Sequence, residues 1–219
     1  MRRPLFLFLL FFLFLTTYNP KIDRIDISNI NIKKIIIEGT EVVEKNKIKK
    51  NLAFLYNMNL FTLSNEDIEN KIKVEDFIES YSIKKIYPRT LKLNIVEKVP
   101  IAILVNAKKK YYISNKGSLI KYKEIEKFDN LPTVLNGGDH FNQMYKDLKK
   151  INFPTEIIKS YHFFESGRWD LIIKEKKLVK LPQKNYLLSL EHFIKMKRSK
   201  NYKNYILFDY RIKDQIILK

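Results

Sequence analysis

Hydrophobic and polar positions alternate most clearly between Thr90 and Glu97, where Leu91, Leu93 and Ile95 are separated by Lys92 and Asn94. A period of two puts the three aliphatic side chains on one face, the mark of a half-buried strand. A second strand precedes it from Ser82 to Ile86, and Tyr87-Pro88 joins the two. Proline fixes φ at about −65° and drives the residue before it toward an extended conformation, so Tyr-Pro is first a corner former. Pro100 lacks a ladder donor and ends the pairing after Glu97, a residue that could also form a cross-strand ion pair with Arg89.

Upstream, Lys33–Glu38 is an apolar β-branched run closed by Gly39, hence a strand. Ile48, Leu52 and Leu55 stand at i, i+4 and i+7 and predict a helix over Asn46–Tyr56. After the link Asn59–Ser64 comes a second helix, with Ser64 as N-cap, Asp67 as capping-box partner and Leu63/Ile68 as hydrophobic staple. Downstream, Tyr111-Tyr112-Ile113 reads as a strand closed by a turn at Asn115-Lys116-Gly117, and Gly137-Gly138-Asp139 as another turn. Phe141, Tyr145 and Leu148 have helical spacing. Arg168–Leu171 and Leu178–Pro182 form a hairpin across Lys174–Lys177, and Leu187, Leu190 and Ile194 mark a last helix. Ile212 to Lys219 is an apolar strand pattern with a bend at Lys213-Asp214.

At the other end, Met1-Arg2-Arg3-Pro4 leads into eleven apolar residues, Leu5–Leu15, the layout of an export signal. The sequence that follows, Thr16-Thr17-Tyr18-Asn19-Pro20-Lys21, has no small-residue cleavage site, so the expectation is a retained membrane anchor. Residues 4–18 as a helix span about 22 Å against a hydrocarbon core of ~30 Å. Arg2 and Arg3 snorkelling on one side and Tyr18 at the other interface shorten the gap. Residues 1–18 are thus expected to be a short cytoplasmic end and anchor, and 19–30 a polar linker.

Composition changes this picture little. With no Cys there is no disulfide framework and no thiolate metal site. A net charge of +18 invites a nucleic-acid reading, but the 42 Lys and Arg are scattered among acids, so no nucleic-acid partner is expected. The densest cluster, residues 195–200, reads as a solvated helix end. His140, His162 and His192 fall in unrelated elements, without an H-E-x-x-H pair, a G-x-S-x-G elbow or a phosphate-cradling loop. No catalytic, cofactor-binding or metal-binding residue is expected; Asp139-His140 as an acid–base pair is a poor candidate beside the turn reading of that segment.

The order Tyr87-Pro88, Thr90-Leu91, an alternating strand and Glu97-x-x-Pro100-x-Ala102, behind a hydrophobic leader, resembles the POTRA module of the FtsQ/DivIB family, bitopic bacterial division proteins. Gly39, Asn59-Leu60-Phe61 and Phe77-Ile78 extend the match. Asn115-Lys116-Gly117, Leu131-Pro132, Arg168-Trp169-Asp170-Leu171 and Asp209-Tyr210-Arg211 resemble the family's second domain. Ser114 stands where the family usually has Asp, and Lys174–Lys177 fills a turn where Gly is usual.

The resemblance implies an α+β fold: an N-terminal transmembrane helix, a β-α-α-β-β POTRA domain over 31–104, then a C-terminal mixed α/β domain with an antiparallel-rich sheet over 105–219. It implies a non-catalytic, single-pass protein of the cell inner membrane, held by Leu5–Leu15, with its bulk in the periplasm and concentrated at the division septum. There it would link and recruit divisome components. A POTRA-bearing chaperone-like module for exported polypeptides is the alternative, disfavoured because no barrel-sized segment follows; a secreted basic binding protein is a third.

In the family the last strand accepts a strand from FtsB of the FtsB–FtsL pair, by β-augmentation. That places partner contacts on Ile212, Gln215, Ile216, Ile217 and Leu218, with Tyr210 adjoining. The competing reading is that these residues only complete the core. A second docking point, for other divisome membrane proteins, is expected at the corner Tyr87 and Pro88.

Overall fold

The computed structural model describes Phe8 and residues 10–12, 30–107 and 109–219. The anchor expected over residues 5–15 and the linker over 19–30 lie almost wholly outside the described residues. Phe8 and residues 10–12 are helical, and no helix among the described residues is long and apolar enough to cross a membrane.

The first sheet has three strands, β1 (Lys34–Glu38), β2 (Ile78–Ile86) and β3 (Thr90–Glu97), in the order β1-β3-β2. β2 and β3 are antiparallel across the turn at residues 87–89, where the Tyr87–Pro88 peptide bond is cis. β1 is parallel to β3, which demands a crossover, and helices α1 (Lys45–Asn51) and α2 (Glu66–Ile72) supply it. The alternation read in β3 is real: Leu91, Leu93 and Ile95 are buried, facing Ile35 and Ile37 of β1 and Ile48, Leu52, Leu55, Ile68 and Ile72 of the crossover.

The single helix expected over residues 46–56 divides. α1 stops at Asn51, Leu52 adopts φ −100° and ψ 9°, and Ala53–Asn57 tightens into a 3-10 turn. The change of pitch brings Met58 to the entering chain, where its carbonyl accepts the Ile32 N–H at 3.0 Å, while Ile48, Leu52 and Leu55 all stay buried. The Ser64–Asp67 pairing expected at the start of α2 forms, although the helix begins one residue later than expected, with Asn65 at its N-cap. Ser64 donates from its N–H and its hydroxyl to Asp67 Oδ2 at 2.8 and 2.9 Å, and Ser64 Oγ accepts the Asp67 N–H at 3.4 Å. Those bonds, the backbone one foremost, lower the Asp67 carboxyl below its ordinary value.

Gly39 closes β1 with φ +81°, and a Cβ there would stand 2.1 Å from the Ile95 carbonyl oxygen. The segment it releases is held by Glu97, whose carboxylate accepts N–H bonds from Val42 and Val43 at 2.7–3.1 Å. Glu97 is therefore a loop clamp at the end of β3 rather than a cross-strand partner of Arg89.

The second sheet has nine strands in the order β12-β11-β10-β9-β8-β7-β4-β5-β6. They are β4 (Pro100–Asn106), β5 (Lys109–Ser114), β6 (Leu119–Lys121), β7 (Thr133–Leu135), β8 (Ile158–Phe163), β9 (Trp169–Ile173), β10 (Lys177–Lys180), β11 (Leu207–Asp209) and β12 (Ile217–Leu218). Five of its eight ladders are antiparallel: β4–β5, β5–β6, β8–β9, β9–β10 and β11–β12. α3 (Gly138–Lys150) and α4 (Tyr186–Lys197) cover one face through Phe141, Met144, Leu148, Leu190 and Phe193, against Tyr161, Leu171, Val179 and Phe208. Gly137-Gly138-Asp139, read as a turn, instead opens α3. Gly137 is its left-handed N-cap, Asp139 lies in the first turn, and His140 stacks on Phe163 at 4.5 Å, a packing arrangement.

The two sheets meet at the β5–β6 end. Phe77 packs on Tyr112 and Phe128 with ring centroids 5.9 and 6.2 Å away, and Tyr112 and Phe128 are 5.4 Å apart. Around this cluster Lys116 pairs with Glu79 at 2.8 Å, Lys121 with Asp76 at 3.7 Å, and Lys127 with Glu41. In each pair the cation comes from the second sheet's segments and the anion from the first.

Candidate functional site

β12 is the outermost strand of the large sheet, and its second edge has no neighbour among the described residues. Register pairs Asp209 with Ile217 and Phe208 with Leu218, and Leu207 and Lys219 exchange both N–H···O bonds at 3.1 and 3.2 Å. Hydrogen-bonded pairs alternate along an antiparallel ladder, so Leu218, opposite Phe208, turns its own N–H and C=O to the open side. An open edge of this kind is a template for another strand.

The chain reaches β12 through an arch that hydrogen bonds hold at its base. The Tyr210 N–H donates to the Lys180 carbonyl at 2.9 Å, and its hydroxyl stands 3.0 Å from His192 Nδ1 of α4. Burial pushes the Tyr210 phenol well above its ordinary value. Arg211 forks onto Asp209, Nε to Oδ1 at 2.8 Å and Nη2 to Oδ2 at 2.6 Å; these bonds lower the carboxyl and raise the guanidinium. The Gln215 N–H then donates to the Ile212 carbonyl at 3.3 Å, and Asp214 turns the chain with φ +58°.

Between this arch, the N-terminal half of α4 and the loop before it lies a groove of about 620 Å³, lined among others by Leu188, His192, Tyr210, Ile212 and Ile216. Leu188 and Ile212 are 68% and 48% exposed, apolar side chains offered to whatever enters.

Of the residues singled out from the sequence, Tyr210, Ile212, Gln215, Ile216, Ile217 and Leu218 come together here, in unequal roles. Tyr210 is buried, Ile212, Gln215 and Ile217 are exposed, and Ile216 and Leu218 are half-buried against the core. Only Ile217 and Leu218 are strand; the preceding residues form the arch. Tyr87 and Pro88 lie elsewhere, exposed at the β2–β3 turn of the small sheet, which packs at the far end of the large one. Leu188 and Ser189 were not singled out, and His192 was weighed only as a metal or catalytic candidate, not as part of a partner site. An exposed leucine on α4, beside the stripe of half-buried Leu187, buried Leu190 and half-buried Ile194, was the available signal. No cluster of three or more His, Asp or Glu able to hold a metal ion occurs among the described residues.

Comparison with known proteins places this architecture. The model of the FtsQ-type POTRA domain matches residues 30–98, and that of the cell division protein FtsQ/DivIB C-terminal region matches residues 102–211. The chain belongs to the FtsQ/DivIB family of cell division proteins. Among its relatives, cell division protein FtsQ of Rickettsia typhi is 26% identical over 194 residues, covering 86% of this chain and 72% of the relative. FtsQ of Rickettsia bellii is 27% identical with the same coverage. A solved structure, the major extracytoplasmic domain of the trans isomer of DivIB from Geobacillus stearothermophilus, covers 44% of this chain and 88% of its own at 16% identity and a TM-score of 0.34, too loose to build on.

Proposed function

We propose that this chain is a single-pass inner-membrane component of the division machinery, held by residues 5–15, with its folded part in the periplasm. It links and recruits other division proteins at the septum and carries out no chemistry of its own. Its principal contact is β12, which takes one strand of an FtsB–FtsL-like pair by addition to the sheet, while the groove beside α4 receives the side chains flanking that strand.

The observation that carries this reading is the open edge itself. Leu218 directs an N–H and a C=O outward at the margin of a nine-stranded sheet, and among the described residues no proline and no charge other than Lys219 beside β12 blunts it. Such an edge promotes aggregation unless it is covered. In dividing cells, a fluorescent fusion of the full chain is expected to gather in a band at mid-cell. A uniform envelope signal throughout the cycle contradicts the reading.

A further inference from the structure

We propose that the end of the three-stranded sheet bearing Phe61 and Tyr87 rests on the lipid headgroups of the membrane that anchors the chain, so that the small module lies on the bilayer. This rests on the anchoring role given above to residues 5–15.

Three features coincide at this end. The first is the entry of the chain. Leu60 donates its N–H to the Ile30 carbonyl at 3.0 Å, Asn31 bridges Asn59, and the Lys33 and Lys34 N–H groups both reach the Arg89 carbonyl at 2.9 and 3.2 Å. The segment arriving from the leader is thus threaded between the 58–60 turn and the β2–β3 turn. Eleven residues, 19–29, separate Tyr18 from Ile30. A stretch of that length reaches at most about 39 Å. That bound keeps this end within reach of the bilayer, whereas β12 lies across the large sheet from it.

The second feature is an exposed aromatic pair. Phe61 and Tyr87 are 46% and 52% exposed, their rings 4.6 Å apart, with Ile86 beside them at 38%. The surface is fixed rather than loose: Asn59 Oδ1 accepts the Phe61 N–H at 2.9 Å, and Lys85 Nζ donates to the Phe61 and Leu63 carbonyls at 3.1 and 2.8 Å. The third is charge. Lys33, Lys34 and Lys84 are exposed around the same end. Tyrosine and other ring side chains settle at the level of the headgroups, and anionic lipids draw in the lysines that flank them. A rigid ring pair within a lysine border, tethered this close to a bilayer, has the membrane surface as its nearest and most complementary partner.

The absence of cysteine makes the test direct. Thr62→Cys beside Phe61, and Ser199→Cys beyond α4, each take one environment-sensitive fluorophore on the full chain. The chain is reconstituted in vesicles of phosphatidylethanolamine and phosphatidylglycerol that carry headgroup nitroxide lipids. The label at position 62 is expected to be quenched several-fold more than that at 199, and the difference to vanish when Phe61→Ser and Tyr87→Ser are added to a chain still folded by circular dichroism. Equal quenching at both positions, in protein that floats with the vesicles, overturns the proposal. So does quenching unchanged by Tyr87→Ser when that substitution abolishes mid-cell recruitment, since the corner is then a protein contact. Protein that fails to float overturns the anchoring of residues 5–15, and this inference with it.

Discussion

Two buried aspartates flank Lys180 on one face of the large sheet and respond to pH in opposite senses. Register sets Asp170 opposite Lys180, and Lys180 opposite Asp209. The hydrogen bond from Arg211 lowers the Asp209 carboxyl against the opposing effect of burial. Asp170 has the Arg168 guanidinium only at 3.7 Å, and burial raises its carboxyl despite Arg168, Lys180 and Arg211. A carboxyl lowered on folding stabilises above its unfolded value of about 3.9, and that stability is lost as pH falls through the lower folded value. One raised on folding contributes stability only below about 3.9, and loses it as pH climbs through the raised value. In urea titrations from about pH 3 to pH 7, Asp209→Asn should fall progressively behind the parent, while Asp170→Asn gains on it. Slopes of the same sign for both contradict this assignment.

At the scale of elements, those whose signal is local were legible. β3 declared itself by alternation and α2 by Ser64, Asp67 and Leu63, because a period or a cap needs only neighbouring residues. The helix over 46–56 was half legible. Its apolar face was right, but the 3-10 turn answers to the pairing of Met58 with Ile32, which no spacing within the helix reveals. The same holds at the C-terminus. Residues 212–219 have a strand's composition, yet the left-handed Asp214 bends most of them into an arch and leaves two in the ladder. The groove was illegible because it needs α4 and the arch, distant in sequence, to face one another. Glu97 was legible as a motif but not in its role. Since its carboxylate holds the Val42 and Val43 N–H groups, Glu97→Ala should cost about 2 kcal/mol in urea unfolding, within the range for hydrogen bonds to charged groups. A cost below about 0.5 kcal/mol means those two N–H groups find other partners.

Across the whole molecule, Phe77, Tyr112 and Phe128 couple the two sheets, with three lysine–carboxylate pairs at the rim adding little by themselves where they are exposed. Phe77 is 2% exposed, and Phe77→Ala should cost about 3–5 kcal/mol. Trp169, the one tryptophan, sits in β9 of the other sheet and reports whether that loss is shared. Its fluorescence midpoint should move with the circular dichroism; an unmoved Trp169 midpoint beside an early second phase contradicts coupling. Such coupling would suit the proposed role of joining partners at two ends, since β12 lies eight inter-strand steps from β6, roughly 40 Å away.

The most direct measurement of the partner edge compares Leu218→Pro with Leu218→Ala in affinity for an FtsB–FtsL-like pair, each variant first shown to be folded. Both lose the side chain that leans on the core, but only proline removes the outward N–H and obstructs the edge. Strand addition at β12 predicts binding by Leu218→Pro roughly tenfold or more weaker than by Leu218→Ala. Equal affinities in the two folded variants would contradict it and place the partner elsewhere.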